Sequence, residues 1–444
     1  MAGGPAKRTL NLTPMVRELK NSIRMKYYIL SFLSLIIVSP LLAKDWPQYH
    51  GVNSDRTTDE VIKNTDWESK KPKKLWSAMT PTGFSSFILA DGAAYTNIIE
   101  EIDGIPSEVC ISFDANTGET NWKANLDLWR VDNGGGNAGT RDNNGGDGPR
   151  TTPSYSEGKV YAYTSDMRLV CLSAENGKEL WSVEVIKSHK GRNIRWENAA
   201  APLIEDDAVI VQGGGAGQSF LAFDKKTGKL KWKSGDYLMT HATPIATDIN
   251  QQRQILFFTQ KGMVSINPKN GKELWMHKFP YKVSTAASAV VDGNIVYFAA
   301  GYGVGSTAIE VGDDNSTEEL WFLEGNKPVT NHWSTPLVKD GYLYGMFGFK
   351  EYGDGPLKCV ELKTGKVMWE KSGYGPAGVC LAGDILVCLG DRGQLTLVNA
   401  SPDKYEELSR LDRVVKGKCW SSPIFADNKI LIRSTEEAVC LDLK

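Results

Sequence analysis

The sequence predicts an all-β fold: an eight-bladed β-propeller of four-stranded antiparallel blades, closed by pairing of the N-terminal strand with the C-terminal blade. Three observations lead there. A turn signature ending in tryptophan recurs about every 40–60 residues, the period of propeller blades. A second mark stands upstream of each copy. The last copy stops one strand short, and a matching strand stands near the front of the chain.

The signature is plainest at Phe220-Leu221-Ala222-Phe223-Asp224-Lys225-Lys226-Thr227-Gly228-Lys229-Leu230-Lys231-Trp232. An apolar strand runs into a turn whose Asp can accept hydrogen bonds from turn amides and whose Gly takes φ > 0 without steric cost. A second strand then ends in Trp, completing a hairpin. Related stretches are Phe113–Trp122, Ala174–Trp181, Asn267–Trp275, Glu361–Trp369 and a worn copy ending at Trp321. With Trp76, the series is Trp76, Trp122, Trp181, Trp232, Trp275, Trp321 and Trp369, which we read as rings packed between blades.

The upstream mark is a small or hydroxyl residue and Pro, then Asp-Gly or its equivalent, then a β-branched or aromatic strand. It is clear at Pro153, Pro202, Pro244, Pro336 and Pro423, and looser near Phe87, Ser288 and Gly378, giving eight starts. Each start supplies two strands and each turn signature two more. The eighth copy ends at Ala438–Lys444 with its third strand, and Lys73-Lys74-Leu75-Trp76 is the expected fourth. Closing the ring this way removes exposed sheet edges.

Composition agrees with one large turn-rich domain: 444 residues, 41% apolar, 23% charged, 44 Gly and 13 Trp. Residues 1–43 read as a leader and signal peptide, with Met25-Lys26, the apolar run Tyr27–Val38 and the small-residue end Ser39–Ala43. The start is at Met1 or Met25. Residues 44–444 are then a single exported domain, periplasmic or extracellular, with no transmembrane helix after cleavage. Six of the 51 Lys/Arg and one of the 53 Asp/Glu precede residue 44, so the remainder carries 45 basic and 52 acidic residues. That balance argues against nucleic acid as a partner.

Loops mark one rim. Asp132–Pro149, Ile186–Asn198, Gly213–Gly215, Gly301–Gly305 and Phe347–Gly355 all fall where they would decorate the face from which the first strands start. The residue three before each mark forms a ring at that mouth of the channel: Phe84, Arg150, Ala199, His241, Thr285, Trp333, Gly375 and Trp420. Flat aromatic faces, a cation and a titratable group make a ligand-site mixture. The ligand-binding candidates are Arg150, Asn198, His241, Asn331, His332, Trp333 and Trp420. The ring itself offers no Asp or Glu, and no catalytic residue or metal ligand is assigned.

Seven Cys is an odd number, and Cys110, Cys171, Cys359 and Cys440 occupy equivalent third-strand positions in different blades, too distant to bridge. They read as small buried apolar residues. The fragments Asp142-Asn143-Asn144 and Asp313–Glu319 lack the spacing of a calcium loop. No zinc spacing, nucleophile elbow or phosphate loop is present.

Asp-x-x-Thr-Gly-Lys-x-x-Trp alternating with Ser/Thr-Pro…Asp-Gly resembles the tryptophan-docking repeat of the pyrroloquinoline quinone (PQQ)-like propellers, over roughly residues 70–444. That superfamily holds both PQQ-dependent alcohol dehydrogenases and the non-enzymatic lipoprotein subunit of the outer-membrane β-barrel assembly machinery. Trp46-Pro47-Gln48-Tyr49-His50-Gly51 is similar to the start of many secreted bacterial members with no assigned role. The resemblance implies the fold strongly and the function weakly, because the repeat residues hold blades together in enzymes and non-enzymes alike. In an enzyme of this kind Trp333 or Trp420 would floor a quinone and Arg150 would face its carboxylates or carbonyls, with calcium alongside. The mouth lacks the carboxylates such an enzyme uses, and the assembly subunit's lipidated Cys is missing. The expected function is therefore non-catalytic binding or scaffolding of an envelope or extracellular protein or a small ligand at the mouth. The alternative is a PQQ-dependent alcohol or sugar dehydrogenase.

Overall fold

A computed structural model describes residues 1, 3, 4, 45–129, 148–326, 329–348 and 355–444. The expected leader, the Gly-rich stretch 132–147 with its Asp142-Asn143-Asn144, and residues 349–354 lie outside the described residues. Ala43–Lys444 is one compact unit.

Eight sheets form among the described residues, and their innermost strands begin at Ile88, Ser154, Leu203, Ile245, Val290, Leu337, Gly378 and Ile424. The first blade shows the plan: Ile88–Ala90, Ala93–Ile102, Ile105–Asp114 and Thr120–Leu128 pair antiparallel in chain order. The inner strand Ile88–Ala90 is buried throughout, whereas the outer strand Thr120–Leu128 alternates toward solvent. The last blade comprises Ile424–Ala426, Lys429–Arg433 and Glu437–Asp442. Its fourth strand is Lys73–Met79, with Lys73 opposite Asp442 and Trp76 opposite Cys440. The ring is closed as the sequence requires.

The repeated turn is a joint between neighbouring blades. Asp224 Oδ1 accepts hydrogen bonds from the Lys226 and Thr227 amides and the Thr227 hydroxyl at 3.1, 2.8 and 2.8 Å. This holds Gly228 at φ +69°, where a Cβ would stand 2.6 Å from the Trp181 ring of the blade before. Gly118 carries Trp76, Gly177 carries Trp122 and Gly271 carries Trp232 in the same way. Only glycine meets both demands. The indole N–H then donates into the next blade's turn: Trp76 to Ala115 O at 3.0 Å, Trp122 to Ala174 O at 2.8 Å, Trp232 to Pro268 O at 3.0 Å. Trp275 departs from this pattern: its N–H goes to Gln254 Oε1 within its own blade, at 2.7 Å. All seven cysteines are free and buried.

Arg433 seals the junction of the last blade with the first. It donates to Thr96 Oγ1 (2.8 Å), Asn97 O (2.7 Å) and Thr80 O (3.2 Å) and is 1% exposed. Burial lowers its pKa to about 9, so it remains charged near neutrality.

Antiparallel order puts the first-to-second and third-to-fourth strand turns on one face of the ring. The remaining connections lie on the other, which we call the loop face. Across the first face runs a segment that the repeat does not contain. Trp46 exchanges backbone hydrogen bonds with Leu89 of blade 1 (2.7 and 3.0 Å), and Pro47 O accepts from Tyr155 N of blade 2 (2.7 Å). Gln48 Oε1 accepts from Ile204 N of blade 3 at 3.2 Å, and His50 meets Ser288 of blade 5 at 2.8 Å. Thr57–Thr58 adds in parallel to Gly378–Ala382 of blade 7. Glu60 accepts from the Asp427 and Asn428 amides of blade 8, at 2.9 and 3.1 Å. This strap spans the ring before the chain reaches Lys73, and it gives the Trp46–Gly51 stretch a structural role.

Candidate functional site

The loop face is built by the segments preceding each first strand. Its expected loop at 186–198 opens with a short helix, Val185–His189, closed by Lys190 in a left-handed conformation.

One arc of the mouth is aromatic. Phe84 and Trp420 stack at 5.1 Å between centroids, Trp420 and Trp333 lie 4.6 Å apart at 39°, Trp333 and His332 4.9 Å apart, and His332 meets Tyr302 edge-on at 5.1 Å. The Lys418 ammonium sits 4.3 Å from the Trp420 ring centre. Trp333 is anchored by its N–H to Pro376 O at 2.7 Å. The Trp420 N–H is buried and has no acceptor among the described residues.

The opposite arc is cationic. Arg150 donates to Trp196 O at 2.5 Å, and His241 Nδ1 meets Ser284 Oγ at 2.8 Å. Burial first, then the Arg150 charge, push the His241 pKa down to about 3, so the ring is neutral at physiological pH. Beside it opens a depression of about 340 Å³, lined by Arg192, Arg195, Trp196, Gln260, Tyr281 and Lys282 over an apolar floor that includes Met239. No carboxylate among the described residues lines it.

The structure thus brings Trp333, Trp420 and His332 together, and Arg150 with His241. It commits the other two candidates to the scaffold. Asn198 donates to Thr164 O and Ala200 O and accepts from Ala200 N (3.2, 3.2 and 3.0 Å). Asn331 accepts from the Tyr297 hydroxyl at 2.6 Å and donates to Met346 O at 2.8 Å. Both amides are spent holding connections in place.

No ring position is an Asp or Glu, yet an acid reaches the mouth from a different turn. Gly375, a ring position, stands at φ +74°, and a Cβ there would lie 2.0 Å from Asp391 Oδ2. Asp391, from the Gly390–Gly393 turn of blade 7, fills the space the missing side chain leaves and is 1% exposed. Its backbone carbonyl accepts from Cys419 N, next to Trp420, at 3.0 Å. The sequence signal was a glycine in a ring of larger residues, facing an Asp in a Gly-flanked turn.

Fold and mouth together define a PQQ-like β-propeller. A family profile described as outer membrane protein assembly factor BamB matches residues 106–371, and the chain belongs to that family. BamB from Moraxella catarrhalis superposes with a TM-score of 0.57 at 16% identity, covering 84% of this chain and 97% of that one. Quinohemoprotein alcohol dehydrogenase from Comamonas testosteroni gives 0.64 at 14% identity, covering 90% and 80%. At these identities the likeness is one of fold. The dehydrogenase subunit of the quinone alcohol dehydrogenase of Gluconacetobacter polyoxogenes is 38% identical over 86 residues. That stretch is 18% of this chain and only 12% of the relative's length. The family thus includes scaffold and dehydrogenase members alike.

A quinone with calcium would need a slot for a flat ring and a cluster of oxygen ligands. The Trp333 and Trp420 rings approach to 4.6 Å at a tilt, leaving no slot for a planar ring between them. Among the described residues no group of three His, Cys, Asp or Glu could hold a metal ion, and Asp391 is enclosed. The described residues do not fit the pair.

Proposed function

We propose that the chain is an exported, non-catalytic binding or scaffold protein of the cell envelope. Its leader would be residues 1–43 and its single domain residues 44–444, and it would take a small ligand or partner protein at the loop face. One observation carries this reading. The groups that the mouth presents are cations and flat rings, which bind, whereas the proton-transfer groups His241 and Asp391 are buried. His241 is held neutral with a pKa of about 3, and Asp391 is packed against Gly375. A general base needs a pKa near the working pH and an open path to its proton. Neither group has both. Membership of the family described as an outer membrane protein assembly factor supports an envelope location, and no helix among the described residues is long and apolar enough to cross a membrane.

A PQQ-dependent alcohol or sugar dehydrogenase is the second reading, favoured by Asp391 beside the two tryptophans and by the local identity to a quinone alcohol dehydrogenase. Incubating the purified protein with PQQ and Ca²⁺ separates the two. Binding without catalysis predicts no dye reduction with alcohols or sugars, whether or not quinone absorbance co-elutes. Turnover would overthrow the first reading.

A further inference from the structure

We propose that the buried guanidinium of Arg56 holds a single small anion of halide class where the strap crosses the channel. Arg56 is 2% exposed. Its Nε donates to His50 Nδ1 at 2.9 Å and its Nη1 to Ser422 Oγ at 2.6 Å, while the Tyr49 ring lies 5.0 Å away. Nη2 is buried and has no acceptor among the described residues.

Every one of these partners is neutral. Because Nδ1 of His50 accepts from Arg56, its proton sits on Nε2 and is donated to Ser288 Oγ, which in turn donates to Thr243 O at 2.8 Å. His50 is kept uncharged by burial and by Arg56 itself. The neighbouring carboxyl, Asp55, is turned to Thr57, accepting from its amide and hydroxyl at 2.9 Å each. A guanidinium does not deprotonate in a protein, and unlike Arg433, whose nitrogens all find acceptors, Arg56 keeps one buried donor, Nη2, unpaired and open to an anion.

His50, Asp55 and Arg56 line a cavity of about 30 Å³ together with Thr247, Thr335 and Pro336. That volume suits one particle of roughly water size. It is too small for a phosphate or a carboxylic acid, which leaves a monatomic anion. Five strap residues, His50 and Asn53 to Arg56, line it, so the ion would tie strap to ring and make the strap's hold depend on the halide supply.

Crystals of the full-length protein soaked in sodium bromide test this directly. An anomalous peak in contact with Arg56 is expected. The melting temperature should rise by several degrees in potassium chloride over potassium gluconate at equal ionic strength, and Arg56→Met should abolish that difference. If Arg56→Met does not fold, Ser422→Ala, which keeps the guanidinium, should retain the halide response, and the bromide map remains decisive. A map without bromide at Arg56, or equal melting in the two salts for the wild-type chain, overturns the proposal.

Discussion

At one end of the channel, residues 45–60 lie across the inner strands and join most blades by hydrogen bonds, with Trp46 2% exposed and both His50 and Arg56 sealed inside. At the other end, Trp333, Trp420, Arg195 and Lys282 keep part of their surface open. The two faces share the same repeat, and their difference comes wholly from what was added to it. The strap supplies backbone partners and apolar burial, which are the terms of stability. The loop face supplies cations and rings with spare valence, which are the terms of recognition. One face can therefore be altered at the expense of the fold, and the other at the expense of binding.

The same substitution made at the two ends gives the largest expected contrast. Trp46→Ala removes a ring that sits in the core cluster shared by the first, seventh and eighth blades. It should cost about 3–5 kcal/mol in urea unfolding. Trp420→Ala removes a half-buried ring, and should cost roughly 1 kcal/mol. Equal losses would mean that the strap is no more structural than the mouth.

The eight blades and their closure were legible because a repeat states its rule many times, and one missing strand at the end points to its partner at the start. Trp76, Gly118 and Asp114 carry the whole argument in miniature. The strap was not legible, since it occurs once, follows no period, and works by lying across blades distant in sequence: His50 and Ser288 are 238 residues apart. The site was half legible. Counting back from each Pro brought Trp333 and Trp420 to one height, where the structure has them 4.6 Å apart, because equivalent positions in a ring share a height. Counting could not show that Asn198 and Asn331 spend their amides on carbonyls, nor that Asp391 enters from a different turn to fill the space over Gly375.

Acid sharpens the comparison next, because each face buries a histidine whose pKa is lowered. The pKa of His241 is lowered to about 3 and that of His50 well below the ordinary 6.5, both chiefly by burial. Below pH 6.5 the unfolded chain takes up protons that the native rings refuse, so these groups leave stability intact above 6.5 and erode it as the pH falls toward 3. The slope is about 1.4 kcal/mol per pH unit for each histidine. Urea unfolding from pH 7 to pH 4 should show this, and His241→Gln and His50→Gln should each flatten it by about one proton. If only His50→Gln does so, His241 is reached by water and the loop face is more open than its packing indicates.

The smallest expected effect on stability is also the most informative about recognition. Arg192, Arg195 and Lys282 ring a depression that no carboxylate among the described residues lines, and Arg195 rests on Trp196 at 4.7 Å. Replacing all three by Ala removes no buried contact of the blades, so the unfolding free energy should stay within about 0.5 kcal/mol per site. Retention of whatever the wild-type domain captures from envelope extract should fall at least tenfold, and wild-type retention should itself weaken as salt screens the cations. The wild-type domain with added salt is the needed comparison, because three lost charges also change non-specific adhesion. A variant that melts normally and still retains the same species in the same amount would place recognition on the aromatic arc, at Trp333 and Trp420, instead of among the cations.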